Sequence, residues 1–440
     1  MSQYALLRQR RFLPLFLTQF LGAFNDNVFK NALVVYIAFA VAERTGRDSS
    51  LLVILAAGIF ILPFFLFSAT AGQLADKFEK SLLIRHIKLA EILIMLMGAL
   101  GFYYQNEWAL MGVLFLMGAQ STLFGPIKYG ILPQHLDTDT LLGGNGLIQM
   151  GTFLAILLGT IVGGAVVAIK SLGTELVGLI TITVALAGWL SSQYIPAAGA
   201  ADAGHRMGWN PISQTWKIMA YARRDYSVFV AILAISWFWF VGATYLSLVP
   251  SYAKNILHGN EYVVTLLLAA FSVGIGTGSL LCERLSRGRI EPGLVPVGAL
   301  GITLFGSDLF LAGSPVPATA YPGGLATAAT FLQHAGNWRV LADLTLLGAF
   351  GGLFIVPLYA LVQHRSAVAC RSRIIAANNV FNALFMVVSA LMTMALFALG
   401  LSIPGIFLLV ALLNIVIALA VFQAVPEFHR RCRQWLGLGG

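Results

Sequence analysis

Long apolar runs separated by short polar breaks, most of them basic, dominate the chain. The runs fall at about 12–41, 51–75, 82–103, 108–130, 143–168 and 172–194, then at about 227–252, 262–282, 294–313, 340–362, 375–398 and 403–425. Roughly 20 apolar residues suffice for a helix to cross a bilayer, so each run predicts a membrane-spanning helix. The pattern predicts an all-α polytopic membrane protein with 12 transmembrane helices. A polar stretch carrying Asp202, His205, Arg206, Lys217, Arg223, Arg224 and Asp225 divides them six and six. The expected organisation is a six-helix bundle over 1–194, a middle loop over 195–226, a second six-helix bundle over 227–425 and a basic tail over 426–440.

Composition sharpens this picture. The chain of 440 residues is 58% hydrophobic and only 10% charged, with a mean hydropathy of +0.84. Water-soluble globular proteins of this length do not have that balance. The net charge of +9 points away from nucleic acid, because the basic residues recur in short clusters between apolar runs. Counting Lys and Arg by side, with the N-terminus inside, gives about 21 on cytoplasmic segments and about 5 (Arg44, Arg47, Lys170, Lys254, Arg339) on outer ones. Both termini are therefore expected in the cytoplasm. The three cysteines, Cys282, Cys370 and Cys432, have no metal-like spacing and predict no disulfide framework. The start, with Arg8, Arg10 and Arg11 before an apolar run, resembles a signal peptide, but the run is too long and contains Asp26. It reads as a retained span.

The stretch Phe20-Leu21-Gly22-Ala23-Phe24-Asn25-Asp26-Asn27-Val28-Phe29-Lys30 lies inside that first span. At ~1.5 Å rise per residue, Asp26 sits roughly 20 Å from Phe12, near mid-membrane. A charge there costs about 2.5–3.5 kcal/mol on insertion scales, so a functional role is the default reading. At 100° per residue, Gln19, Asp26 and Lys30 share a narrow stripe with Asn27 and Asn31 beside it, while Asn25 points elsewhere. Two readings follow. Asp26 and Lys30, four residues apart, neutralise each other and fix helix packing, or this face meets substrate.

The two halves carry matching motifs. Gly72-Gln73-Leu74-Ala75-Asp76-Lys77-Phe78-Glu79-Lys80 follows span two, and Gly278 to Arg287, containing Glu283 and Arg284, follows span eight. Asn145 and Gln149 at the start of span five parallel Asn378 and Asn382 in span eleven, with Gln134-His135 and Gln363-His364 before them. This predicts two six-helix halves in a parallel pseudo-repeat. The Gly72-x-Leu74-Ala75-Asp76-Lys77-x-x-Lys80 loop resembles the loop 2–3 signature of the major facilitator superfamily. That resemblance covers almost the whole chain. It implies two halves that rock about a central cavity, with Asp76, Lys77 and Lys80, and less closely Glu283 and Arg284, acting in gating rather than touching substrate.

Gly22 to Lys30, together with Phe124-Gly125-Pro126-Ile127-Lys128-Tyr129-Gly130 and Leu132-Pro133, resembles the bacterial lysophospholipid transporter branch. This implies a secondary transporter in the bacterial inner membrane, working by alternating access without a cofactor. Its cargo would be lysophospholipid, chiefly lysophosphatidylethanolamine, flipped from the outer to the inner leaflet. A cytoplasmic acyltransferase/acyl-carrier-protein synthetase would reacylate it. That enzyme is expected on a separate protein, since the chain ends soon after span twelve. Such a head group carries an ammonium, a phosphate and a hydroxyl. Asp26 suits the ammonium, Lys30 or Lys128 the phosphate, and Asn27, Gln120, Asn145, Gln149, Asn378 and Asn382 the neutral groups. The amides serve equally as interhelical packing bonds, and Lys128 as a snorkelling cation. In Trp237-Phe238-Trp239-Phe240, one tryptophan is read toward lipid and Trp239 toward substrate.

Other motifs add little chemistry. Glu91 is expected to pair with a base from another helix or to touch substrate, and Asp308 and Asp343 to be wet. Gly274-Ile275-Gly276-Thr277-Gly278 has a nucleotide-loop spacing but lies in an apolar run, which favours close helix packing. The 314–339 stretch reads as an outer loop with a short helix. No Walker motif occurs, an acyltransferase His-x-x-x-x-Asp is absent, and the seven His do not cluster. These features argue against the rival reading of a polytopic enzyme or scaffold. A carrier of the same fold for a soluble amphiphile or drug, with Asp26 as a proton site, stays open.

Overall fold

The computed structural model describes residues 3–41, 50–169, 172–313 and 324–437. Arg44, Arg47, Lys170 and the first part of the 314–339 loop lie outside the described residues. Regular structure among the described residues is helical, apart from one isolated parallel bridge between Gly259 and Ala326. The helices are α1 Leu13–Tyr36, α2 Ser50–Lys77, α3 Lys80–Tyr103, α4 Glu107–His135, α5 Thr138–Val167, α6 Gly173–Ser192, α7 Pro211–Ala222 and α8 Tyr226–Asn255. They continue as α9 Glu261–Ser286, α10 Leu294–Leu311, α11 Ala328–Gln333, α12 Ala335–Arg365, α13 Arg371–Ala398, α14 Ile403–Ala424 and α15 Glu427–Trp435.

Ten helices among the described residues are long and apolar enough to cross a membrane. Helices α1 and α3, 24 residues each, are outside that set. At ~1.5 Å per residue each has a spanning length of roughly 36 Å, but both carry ionic side chains that lower their hydropathy. Several helices overrun the apolar runs that predict them. Span four, expected over 108–130, extends to His135, and span ten, expected over 340–362, begins at Ala335. The polar overhangs still form helical backbone bonds, and side chains satisfy the open ends. Asn106 caps α4 by accepting from Trp108 N at 3.1 Å and Ala109 N at 3.0 Å. Glu79 caps α3 by accepting from Ser81 N at 3.0 Å and Leu82 N at 2.6 Å.

The chain forms two compact units. The first comprises Met1–Gly144, Leu154–Asp225 and Gln363–Val380, and the second comprises Asn145–Phe153, Tyr226–Val362 and Phe381–Gly440. In the first, α2 packs on α4, α3 on α6 and α4, and α1 on α6. Helix α5 lies on α1 through glycines: a Cβ at Gly163 would stand 2.3 Å from the Val28 carbonyl oxygen. In the second, α14 packs on α10 and α8, and α8 also on α9. The Gly274–Gly278 run is a packing surface: a Cβ at Gly278 would meet the Ala349 carbonyl oxygen of α12 at 1.8 Å. Two short helices, α7 and α15, interrupt stretches that sequence reading treats as loop and tail.

Candidate functional site

Two polar centres stand in the first unit. The first lies inside α1, α3 and α4. Asp26 and Lys30 do not close on each other. Asp26 accepts a hydrogen bond from Ser121 Oγ of α4 at 2.5 Å through Oδ2, and its Oδ1 is buried without a hydrogen-bond partner. The Lys30 ammonium rests 5.5 Å from the centroid of the Phe60 ring. The self-neutralised pair is therefore not what forms, and the cation and the carboxylate each face an independent partner.

Behind them is an ion pair. Lys88 and Glu91 of α3 are each only 1% exposed and pair directly at i,i+3. Glu91 also accepts from Asn25 Nδ2 at 3.0 Å and from Gln120 Nε2 at 2.9 Å. Ser121 Oγ lies 3.3 Å from Gln120 Oε1, which connects this group to Asp26. Glu91 thus finds its base on its own helix, contrary to the expectation of another helix. Lys88, which the count of Lys and Arg by side includes among the roughly 21 cytoplasmic cations, is buried among helices. Small residues make room for it: a Cβ at Gly22 would stand 2.8 Å from Lys88 Nζ, and one at Gly188 would stand 2.9 Å from Cε. The glycine of the Gly22–Lys30 motif therefore has a steric role.

The amide candidates divide. Asn27 donates to its own helix at Ala23 O, 2.7 Å away, beside Gly159 of α5. Gln120 is engaged by Glu91. Asn382 accepts from Ser236 Oγ at 2.8 Å in the second unit. Asn145 and Gln149 are fully buried with polar contacts of their own. Asn378 is buried with neither amide atom hydrogen-bonded. Lys128 is half-buried over the Tyr129 ring at 4.7 Å.

In the second unit Trp239 donates to Tyr359 Oη at 3.3 Å and stacks on Phe153 with centroids 6.1 Å apart. Trp237, expected toward lipid, is instead buried and donates to Asn414 Oδ1 at 2.8 Å. Its indole N–H needs an acceptor that lipid tails lack. Of the two acids expected to be wet, Asp308 accepts a fork of bonds from Arg339 at 2.8 and 2.5 Å, and Asp343 is 3% exposed.

The second centre is a clamp at the Lys77 end of α2. Asp76 is buried and sits on the N-terminus of α13. Its Oδ1 accepts from Ser372 N at 3.0 Å, and its Oδ2 accepts from Arg373 N at 3.2 Å and Arg373 Nε at 2.9 Å. An acid placed on helix-end amides meets the positive end of the helix dipole. Arg373 Nη2 reaches Asp202 at 3.0 Å, and its Nη1 lies 3.2 Å from His205 Nδ1. Gln73 joins the same segment: its Oε1 accepts from Gly208 N at 2.8 Å and its Nε2 donates to Gly208 O at 3.2 Å. Burial and the neighbouring Arg373 guanidinium hold the His205 imidazole below its usual pKa.

Glycines bring α13 this close. A Cβ at Gly72 would fall 2.7 Å from Ala376 Cβ, and one at Gly130 would fall 2.7 Å from Ser372 Oγ. Lys80 is buried beside Gly130 with its Nζ unpartnered, and Lys77 lies 5.8 Å from the Phe78 ring. At the end of α9, Glu283 is half-buried and Arg284 exposed. Sequence reading missed Arg373 as partner of Asp76, Asp202 and His205 as partners of Arg373, and Ser121 as partner of Asp26.

Ten described helices long and apolar enough to cross a membrane, with charged side chains buried among the helices, mark a multi-pass membrane protein. The chain belongs to the Major Facilitator Superfamily, whose family model matches residues 15–332. It is 28% identical over 376 residues to the lysophospholipid transporter LplT of Yersinia enterocolitica, covering 83% of this chain and 82% of the relative. It is 28% identical over 356 residues to LplT of Pectobacterium carotovorum, covering 79% and 77%. Among solved structures, the fold resembles the transporter FucP in its outward conformation, with a TM-score of 0.68 at 16% identity over 94% of this chain and 99% of that one. It also resembles the human organic anion transporter MFSD10, with a TM-score of 0.71 at 12% identity over 94% and 99%.

Proposed function

We propose that this protein is a lysophospholipid flippase of the bacterial inner membrane. It takes chiefly lysophosphatidylethanolamine from the outer to the inner leaflet by alternating access. In this reading twelve helices cross the membrane as two six-helix halves, with both termini in the cytoplasm. The delivered lipid is reacylated by a separate acyltransferase/acyl-carrier-protein synthetase. Likeness to the LplT transporters supports the substrate class.

The observation that carries the reading is Asp26, with one carboxylate oxygen unpartnered inside the protein and Lys30 one turn away. A zwitterionic phosphoethanolamine head presents an ammonium to Asp26 and a phosphate to Lys30. Charge-assisted bonds of this kind are the strong ones. The Lys88–Glu91 pair behind them fixes α1, α3 and α4 without taking substrate. The Asp76–Arg373 clamp holds one conformation and opens as the carrier turns. Lys77 and Lys80, and Glu283 and Arg284 at the corresponding end of α9, tune that step. Lys128, Asn378 and Trp239 line the path in this account.

The test is reconstitution in liposomes with labelled lysophosphatidylethanolamine in one leaflet. Movement well above protein-free liposomes supports the reading. No movement, with or without an ion gradient, returns the chain to the rival of a carrier for a soluble amphiphile.

A further inference from the structure

Helix α7 starts where the chain is pinned. Gln73 of α2 holds Gly208 by both backbone groups, accepting from its N–H at 2.8 Å and donating to its carbonyl at 3.2 Å. Two residues on, the Asn210 side chain caps the helix by accepting from Ser213 N at 3.0 Å. Gln214, Lys217, Ile218 and Tyr221 then recur at i, i+3, i+4 and i+7, so they share one face. Together with Gln73, His205, Arg206 and Arg373 they line a cavity of about 390 Å³, a size that takes a small ligand. No carboxylate is among the described residues that line it. Arg206 and Lys217 are exposed and make no ion pair among the described residues. The Tyr221 ring carries two guanidiniums, that of Arg373 at 5.4 Å and that of Arg224 at 4.5 Å from its centroid.

Donor counting leaves one bond of Arg373 unused. A guanidinium has five N–H groups and only donates. Nε donates to Asp76, Nη2 to Asp202 and to the Ala369 carbonyl, and Nη1 to His205 Nδ1. The second Nη1 N–H is left over. The nearby acids, Asp76 and Asp202, are both engaged by Arg373, so the charges of Arg206 and Lys217 stay uncompensated.

We propose that this cavity is an anion site that takes a phosphate group. Arg206 and Lys217 supply the opposing charge, and the unused Nη1 N–H of Arg373 supplies a directed, charge-assisted bond. The phosphate comes from a soluble ion or ester or from a lipid head group, and the chemistry that recognises it is the same. The anion uses a donor that the clamp leaves over, so it braces Arg373 against Asp76 and Asp202 instead of competing with them. The site is distinct from the Asp26 centre and independent of the substrate reading.

The melting temperature of the full-length protein in detergent tests this, in inorganic phosphate against chloride at equal ionic strength. Phosphate is expected to raise it, and the concentration dependence gives the Kd. Arg206→Gln/Lys217→Gln is expected to weaken phosphate binding by about tenfold or more. Arg430→Gln/Arg433→Gln, which removes two exposed cations from α15, is expected to keep the full shift. Size exclusion reports whether both variants stay folded. A second arm melts the protein in phosphatidylcholine nanodiscs with and without phosphatidic acid. A shift with inorganic phosphate alone assigns the site to a soluble anion, and a shift with phosphatidic acid alone assigns it to a lipid head group. Shifts in both arms mark a site for the phosphate group itself. No shift in either arm would overturn the proposal, and so would a shift that survives intact in the Arg206/Lys217 variant.

Discussion

Asp76 Oδ2 is held twice by one residue, Arg373, which donates from its backbone N–H at 3.2 Å and from Nε at 2.9 Å. The acid is thus both a helix cap and an ion-pair partner, 297 residues away in sequence. Removing one member of a buried pair leaves the other charge uncompensated, at a cost of about 3–5 kcal/mol. Asp76→Ala is expected to lower the melting temperature of purified protein sharply. Arg373→Ala is expected to do the same, and the double variant to cost less than the sum. Additive losses in that cycle would count against the clamp.

The Lys88–Glu91 pair makes a parallel prediction. Glu91→Ala strands a buried ammonium, whereas Lys88→Met with Glu91→Leu removes both charges. The single change is expected to destabilise by about 3 kcal/mol or more and the double to be far milder. Gly22→Ala pushes on Lys88 Nζ from 2.8 Å and is expected to cost about 1–3 kcal/mol. Chemical denaturation in mild detergent reads all three.

Close helix approach can be tested with an internal control. Gly278→Ala puts a methyl 1.8 Å from a backbone oxygen, while a Cβ at Gly112 meets nothing within 4 Å. The first is expected to force α9 and α12 apart and abolish a sharp melt. The second is expected to be neutral or to stabilise by up to ~1 kcal/mol through helix propensity. Equal behaviour of the two would contradict the packing.

Acid should loosen the His205 corner. His205 bridges Arg373 Nη1 and Gln73 Oε1 and also faces Asp202, Asp76 and Lys77. Its pKa is held down in the fold, so the folded form keeps it neutral. Below about 6.5 the unfolded chain takes up a proton that the folded chain refuses. Stability from this residue is therefore present above that pH and falls as pH drops through the lowered folded value. A melting profile against pH should show this loss in the wild type and not in His205→Gln.

Ten of the expected spans were legible among the described residues because hydrophobic run length is a local signal, and the charges inside α1 were legible for the same reason. The partner of Asp76 was not, since nothing in the loop 2–3 motif points to a residue at the start of α13. Lys88 was misplaced because a lysine near a span end reads as a loop cation until a carboxylate three residues on is seen to hold it inside. Helix α7 was hidden in a polar stretch. Its apolar residues repeat over only three turns, and its charged neighbours mask them. Trp237 read as a lipid anchor because its acceptor, Asn414, lies 177 residues away.

The most direct measurement is the rate at which labelled lysophosphatidylethanolamine crosses between leaflets in liposomes holding wild-type protein or Asp26→Asn. Asparagine keeps the hydrogen bond with Ser121 within reach and removes only the charge. The account predicts rapid movement with the wild type and a loss of at least tenfold in the variant, about 1.4 kcal/mol, within the range of one charge-assisted contact. Equal rates from equally well-folded proteins would contradict the role assigned to Asp26.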